Sequence, residues 1–195
     1  MRADHAQLSR LSVQSTSDQV DPVLYAAIAA SAASAVTPEQ AAVWAYPQPH
    51  WSGDLNDLTL VNALLGRVHL SGKIDLLGPA ARRVAEAVGV YKQIRRRIPH
   101  ATATWPLGLP SWYDAWIAAG LADTEGVLLQ LWRRGGQARL DIPIGALQGR
   151  AASVAVLFPS GSPAEARWDP RRGVLSSHLP GASAACLLEI RPGLP

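Results

Sequence analysis

One cysteine, one methionine and one phenylalanine occur among the 195 residues, and of the 18 basic residues only Lys73 and Lys92 are lysines. A lone Cys186 cannot close an internal disulfide, and without a neighbouring thiol it offers no cysteine-type zinc module. That usage fits a reducing compartment, so a cytoplasmic protein is expected. Long apolar runs are also missing. The longest weakly polar stretch, residues 23–36, is interrupted by Ser31 and Ser34, whereas a membrane span needs about 20 predominantly apolar residues. The start carries Arg2, Asp4, His5 and Arg10 without an apolar segment, which excludes a signal peptide of the usual pattern. Net charge is only +3, too little to set a field for nucleic acid by itself. The one dense basic run, Lys92-Gln93-Ile94-Arg95-Arg96-Arg97, suits a solvated helix end, where cations meet the negative pole of the helix dipole.

What is present is apolar bulk. Hydrophobic residues make up 48% of the chain, enough to bury a core and to exclude disorder. In the first half, short apolar runs alternate with helical patterns. The runs are Leu11 to Ser17, Ala41-Ala42-Val43-Trp44-Ala45-Tyr46 and Arg67-Val68-His69-Leu70-Ser71-Gly72. The Ala-rich stretch behind Pro22 propagates a first helix, and Asp54 is expected to cap a second, with Leu55, Leu58, Val61, Leu64 and Leu65 as its apolar stripe. A third shows apolar residues at steps of three and four from Leu77 through Val84, Ala87, Tyr91 and Ile94 to Ile98, with Arg96 and Arg97 on the outer face. Strand and helix in alternation predict parallel strands covered by helices.

The composition shifts at Pro99. Residues 100–113 are too rich in proline for a helix and too aromatic for a free linker, so they read as a connection packed on a domain face. Beyond lie strand-length runs at 126–132, 138–142, 152–158, 164–168 and 185–190, separated by turn signals such as Gly135-Gly136 and Pro180-Gly181. Short strands at this spacing predict an antiparallel β-sandwich. Two domains are therefore expected, residues 1–98 and residues 99–195.

Several segments carry a resemblance: Arg2-Ala3-Asp4, Ser15-Thr16-Ser17-Asp18-Gln19-Val20-Asp21-Pro22, Ala41 to Pro49, Val61 to Gly72, the helix ending Val90 to Arg95, and Trp105-Pro106-Leu107-Gly108-Leu109-Pro110. In this order they resemble the C-terminal part of melibiase-type glycoside hydrolases, the bacterial α-galactosidase family. The resemblance implies an α/β plus all-β fold: three terminal βα units of an incomplete (β/α)8 barrel, equivalent to strands six to eight, then the sandwich. A whole barrel takes about 250 residues, so strands one to five have no sequence here. By the same resemblance the family hydrolyses terminal α-galactosides with retention, without metal or organic cofactor, and Asp18 matches its general acid/base. Retention needs a second carboxyl about 5 Å away as nucleophile, and the family places it on an earlier strand. The isolated chain is therefore expected to be inactive.

Ser15 and Gln19-Val20 depart from the family's Trp and Asn-Thr, which removes one stacking surface for the sugar. Trp44 and Trp51, flanking the exit of the second strand, are the expected sugar contacts, while Trp105, Trp112, Trp116, Trp132 and Trp168 are expected in packing. Asp18 also has a plainer reading as a helix N-cap, and Asp4, Asp21, Asp54 and Asp75 read as caps or turn residues. The five histidines show no ligand spacing, no Gly-x-Ser-x-Gly elbow occurs, and Gly72-Lys73 lacks the upstream glycine of a phosphate loop. The expected partners are an α-galactoside or related carbohydrate and a complementary barrel fragment, with neither nucleic acid nor membrane. A carbohydrate-binding or interaction module, and one half of a split glycosidase, are the alternatives.

Overall fold

The computed structural model describes residues 5–193, and of His5 only the backbone. The Arg2-Ala3-Asp4 segment lies outside the described residues. After a single turn, α1 (His5–Leu8), come β1 (Gln14–Ser15), α2 (Pro22–Ser31), β2 (Ala41–Ala45), α3 (Gly53–Ala63), β3 (Arg67–Leu70) and α4 (Ala81–Ile94). Strands follow almost without helix: β4 (Thr102–Thr104), β5 (Trp116–Asp123), β6 (Gly126–Arg133), β7 (Arg139–Pro143), β8 (Ala152–Phe158), β9 (Glu165–Asp169), β10 (Val174–His178) and β11 (Ala184–Pro192).

These strands divide among three small sheets, and the expectation of (β/α)8-barrel units is overturned. The parallel strands form an open sheet in the order β1-β2-β3, with only two, five and four residues, and it closes on nothing. The chain is mostly sheet with few helices, and its largest sheet is antiparallel, in the order β4-β5-β6-β11-β8. The physical reason lies in α3. A helix on the outside of a barrel keeps one face in water, but residues 56–63 of α3 are all buried, between the parallel sheet and the five-stranded one. α3 is an inner layer here, not the one-faced cover of a barrel strand.

The antiparallel part is the β-sandwich that the turn spacing predicts. The sheet β7-β10-β9 covers one face of the five-stranded sheet through Leu129, Leu131, Ile142, Trp168, Leu175, Cys186 and Leu188. Successive side chains of a strand point to opposite faces. Thus Leu128 and Trp132 of β6 join Ile117 and Leu121 of β5 on the other face, in the same core as Tyr25, Leu58 and Leu64. Both faces of β5, β6 and β11 are consequently apolar, which is why β6 and β11 read as continuous runs. Gly126 opens β6 at φ +136, where an added Cβ would lie 2.1 Å from the Ile190 carbonyl oxygen. No other residue fits that turn.

Local signals account for the helices, with two corrections. Asp21 is the N-cap of α2, its Oδ1 accepting from the Val23 and Leu24 amides at 2.8 and 3.1 Å, with Pro22 in the first turn. Ser52, not Asp54, caps α3, accepting from the Leu55 amide at 3.2 Å, and Asp54 sits in the first turn. The expected stripe is buried at Val84, Ala87 and Ile94 of α4 and continues at Leu77 and Ile98 in the turns that flank the helix. Arg97 is the second correction. It is 9% exposed rather than solvated, and its guanidinium grips Asp123 through Nε and Nη2 (2.6 and 2.8 Å) and Glu189 through Nη1 (2.5 Å). Ionisable side chains are buried in this way only when paired.

Candidate functional site

The C-terminal end of β1 runs into a polar loop, Thr16-Ser17-Asp18-Gln19, before α2 begins. Asp18 is exposed, and among the described residues its carboxylate makes no hydrogen bond or ion pair. The loop is held from below. Thr16 Oγ1 donates to the Ala42 carbonyl at 3.0 Å, so in its 2.6 Å bond with Tyr25 the phenol is the donor. The same phenol oxygen accepts the Trp44 amide at 2.9 Å, tying β1, β2 and α2 together at one atom. Burial pushes the Tyr25 hydroxyl above its ordinary pKa, against its hydrogen bonding with Thr16 and the Trp44 amide, and the charge of Asp18 adds to the rise. Tyr46 is raised as well, first by burial and then by the nearness of Tyr25 and Asp18.

Asp18 opens onto a cleft of about 560 Å³ bounded by Ser15, Ser17, Val20, Ile28 and Trp112, in which no second carboxylate of the described residues takes part. Trp44, on β2, does not line the cleft and reaches it only through Ser15. Its indole N–H donates to Ser15 Oγ at 2.9 Å, and its ring stacks on Tyr46 (centroids 6.0 Å apart) and meets His69 edge-on at 5.0 Å. Trp51 sits in the loop before α3, edge-on to His50 at 6.2 Å, and is not among the residues lining the Asp18 cleft. The arrangement offers a free carboxylate at a strand end, hydroxyls from Ser15, Thr16 and Ser17, and aromatic surface. It can donate or accept a proton and bind a polyhydroxylated ligand.

No protein-family model and no curated protein matches the chain. Among solved structures it is similar to a GH36 α-galactosidase from Geobacillus stearothermophilus, a doubly substituted variant in complex with raffinose, at TM-score 0.66 and 14% identity. The likeness is one of fold. It covers 91% of this chain but 25% of that one, so the chain spans about a quarter of the length of the protein it matches.

Sequence reasoning missed Trp112 as a cleft residue, since the proline-rich setting of residues 106–113 suggested packing. The signal was local: Ser111 and Asp114, three apart, bracket Trp112-Tyr113 and fold them into a turn that leaves both aromatics exposed. Among the described residues no group of three or more histidine, cysteine or acidic side chains is placed to hold a metal ion, and no helix is long and apolar enough to cross a membrane.

A second ionisable group lies apart, in the second turn of α3. The Asp57 side chain is 6% exposed, with Oδ2 bonded to Arg83 and Oδ1 buried without a partner. Burial raises its pKa from 3.8 to about 6, despite the opposing hydrogen bond and charge of Arg83, with Asp54 and Glu86 adding to the rise. A carboxyl whose folded pKa is raised binds its proton more tightly in the folded state. Stability therefore falls as pH climbs from the unfolded value through about 6, and levels off above. Arg83 is partly solvated, so the expected decline is about 1–2 kcal/mol. Urea melts from pH 4 to 7.5 should show it in the native chain and not in Asp57→Asn.

Proposed function

We propose that this chain is part of a glycoside hydrolase acting on terminal α-galactosides, with Asp18 as its general acid/base. Residues 1–98 would carry the reacting carboxylate, and residues 99–195 would brace it. The observation that carries the reading is the unpartnered, exposed carboxylate of Asp18 at the end of a strand, above a cleft bordered by hydroxyls and an indole. The resemblance of the Ser15 to Pro22 segment, and the likeness in fold to an α-galactosidase, support it. Trp44, whose indole bonds Ser15 at the rim, and Trp51, in the loop that follows β2, lie outside the lining of this cleft and would meet sugar only beyond it. Asp18 would protonate the departing glycosidic oxygen and then take the proton from an attacking water. The nucleophile would come from elsewhere, because retention requires two carboxyls about 5 Å apart and among the described residues the Asp18 cleft is lined by one.

The test is binding without turnover. Raffinose titrated into the 195-residue chain should shift the amide resonances of Thr16, Asp18 and Val20, while hydrolysis of an aryl α-galactoside stays at the buffer rate. Asp18→Asn should bind raffinose within about threefold of the native chain, since the amide keeps the shape and an acceptor oxygen. Turnover at ordinary enzymatic rates by the chain alone would refute the missing-nucleophile account, and failure to bind any α-galactoside would refute the carbohydrate reading.

A further inference from the structure

A second cleft, of about 430 Å³, adjoins the one at Asp18. It shares Ser15, Thr16, Ile28 and Trp112 with its neighbour, so the two form a single trough along α2. The ends differ chemically. Around Asp18 the lining is mostly polar, whereas the far end is mostly apolar, with Ala27, Ala32, Ala35, Val36 and Pro110 interrupted by Gln14, Ser31 and Ser34. Trp112 belongs to both, and it is 39% exposed.

The turn that carries Trp112 is braced. Ser111 donates to the Asp114 carboxylate through its amide (2.8 Å) and its hydroxyl (2.5 Å), bonds that hold the Asp114 pKa below the usual carboxylate range. From the end of β6, Arg134 donates to the Asp114 carbonyl through Nε and Nη2 at 2.9 and 2.7 Å, and through Nη1 to the Val23 carbonyl at 3.2 Å. Val23 lies in the first turn of α2, just beyond the Asp18 loop. One guanidinium therefore fixes the Trp112 turn against the element that presents Asp18. A large apolar side chain left this exposed on a braced turn costs hydration free energy in the unbound protein and loses little entropy on binding.

We infer that Trp112 is the stacking platform of an oligosaccharide site that spans both clefts, with one sugar ring at Asp18 and the next over the indole. The electron-rich face of an indole attracts the polarised C–H bonds of a pyranose, and the apolar far end accepts the less polar faces of further rings. The inference rests on the carbohydrate reading proposed above and extends it: the trough takes a di- or trisaccharide, and its main aromatic contact comes from the connection after residue 98 instead of from β2.

The experiment is a raffinose titration of the full chain and three variants, Trp112→Ala, Trp112→Phe and Trp51→Ala, followed by amide and indole N–H resonances. Trp112→Ala should weaken raffinose by about tenfold, the upper range of one aromatic stack. Trp112→Phe should stay within about threefold of native, because the ring is kept. Saturating raffinose should move the Trp112 indole resonance further than that of Trp44 or Trp51. Thermal melts of each variant report the fold separately. If raffinose binds and Trp112→Ala leaves its affinity unchanged, or Trp51→Ala weakens it more, the platform is elsewhere while the carbohydrate reading stands. If the native chain binds no raffinose at millimolar concentration, both ideas fall together.

Discussion

Arg97→Ala is expected to remove about 3–5 kcal/mol of stability, the usual cost of deleting one partner of a buried ion pair. The loss has two parts. Asp123 and Glu189, with side chains 8% and 11% exposed, would keep their charges in a poorly hydrated place. Asp123 retains the Glu125 and Gly126 amides as donors at 2.8 and 3.1 Å, and Glu189 retains Arg191 at 2.9 Å, so neither is wholly abandoned. The link between the end of α4 and the β5–β6 hairpin is lost as well. A urea melt at pH 7 measures the sum, and a loss under about 1 kcal/mol would show that this triad adds nothing over solvated charges. The pH dependence gives a second handle. Burial alone would raise the Asp123 pKa, but the Arg97 hydrogen bonds, the two amides and the Arg97 charge together bring it below the ordinary value. For a carboxyl depressed in the folded state, the stabilisation is complete above the unfolded pKa and is lost as pH falls through the folded one. The native chain should therefore weaken below about pH 4, and Arg97→Ala should show a smaller acid slope.

Trp132→Ala is expected to be about as damaging. Trp132 has no exposed surface, and truncating a buried Trp costs about 3–5 kcal/mol through lost burial and the cavity left behind. Its indole N–H also donates to Asn62 Oδ1 at 2.8 Å, and Asn62 in turn donates to the Pro22 carbonyl at 3.0 Å, a relay from β6 through α3 to α2. Trp132→Phe separates the parts, since most of the volume survives but Asn62 loses a donor, at about 1–3 kcal/mol. For a domain whose whole stability is about 5–15 kcal/mol, the alanine variant stands near the folding limit. A melt within about 1 kcal/mol of native for both variants would mean that the helix layer and the five-stranded sheet are held by something other than this contact.

How much of this was legible beforehand differs by element. Runs with a single period were clear. The stripe of α4 and the strands β2, β3, β6, β8 and β11 lie close to where their apolar residues predict, while Asp18 was singled out by the resemblance of the Ser15 to Pro22 segment and not by any local pattern. β5 was not, because Ile117-Ala118-Ala119-Gly120-Leu121 has both faces buried and little of the β-branched signal of a strand. β10, with Ser176 and Ser177 between Leu175 and His178, looks like a turn until β7 and β9 flank it. The expectation of barrel units came with the family resemblance, and α3 is the element that departs from it. Asn56, Asp57, Thr59 and Asn62 gave it the look of a helix with one wet face, yet these polar groups are buried and used as cross-layer hydrogen-bonding partners. Arg97 was misread for the same reason: its partners, Asp123 and Glu189, lie 26 and 92 residues further along the chain, beyond any local pattern. Trp112 needed the trough, which exists only once the turn at Ser111 is folded against α2.

The lone thiol gives these energies a direct readout. Cys186 is fully enclosed on β11, between β6 and β8, and burial pushes its pKa up to about 12. An alkylating reagent therefore finds nothing to attack until the sheets part, and the labelling rate counts openings of the sandwich one molecule at a time. With no other cysteine to confuse the signal, the chain carries its own clock for unfolding in plain buffer, without denaturant.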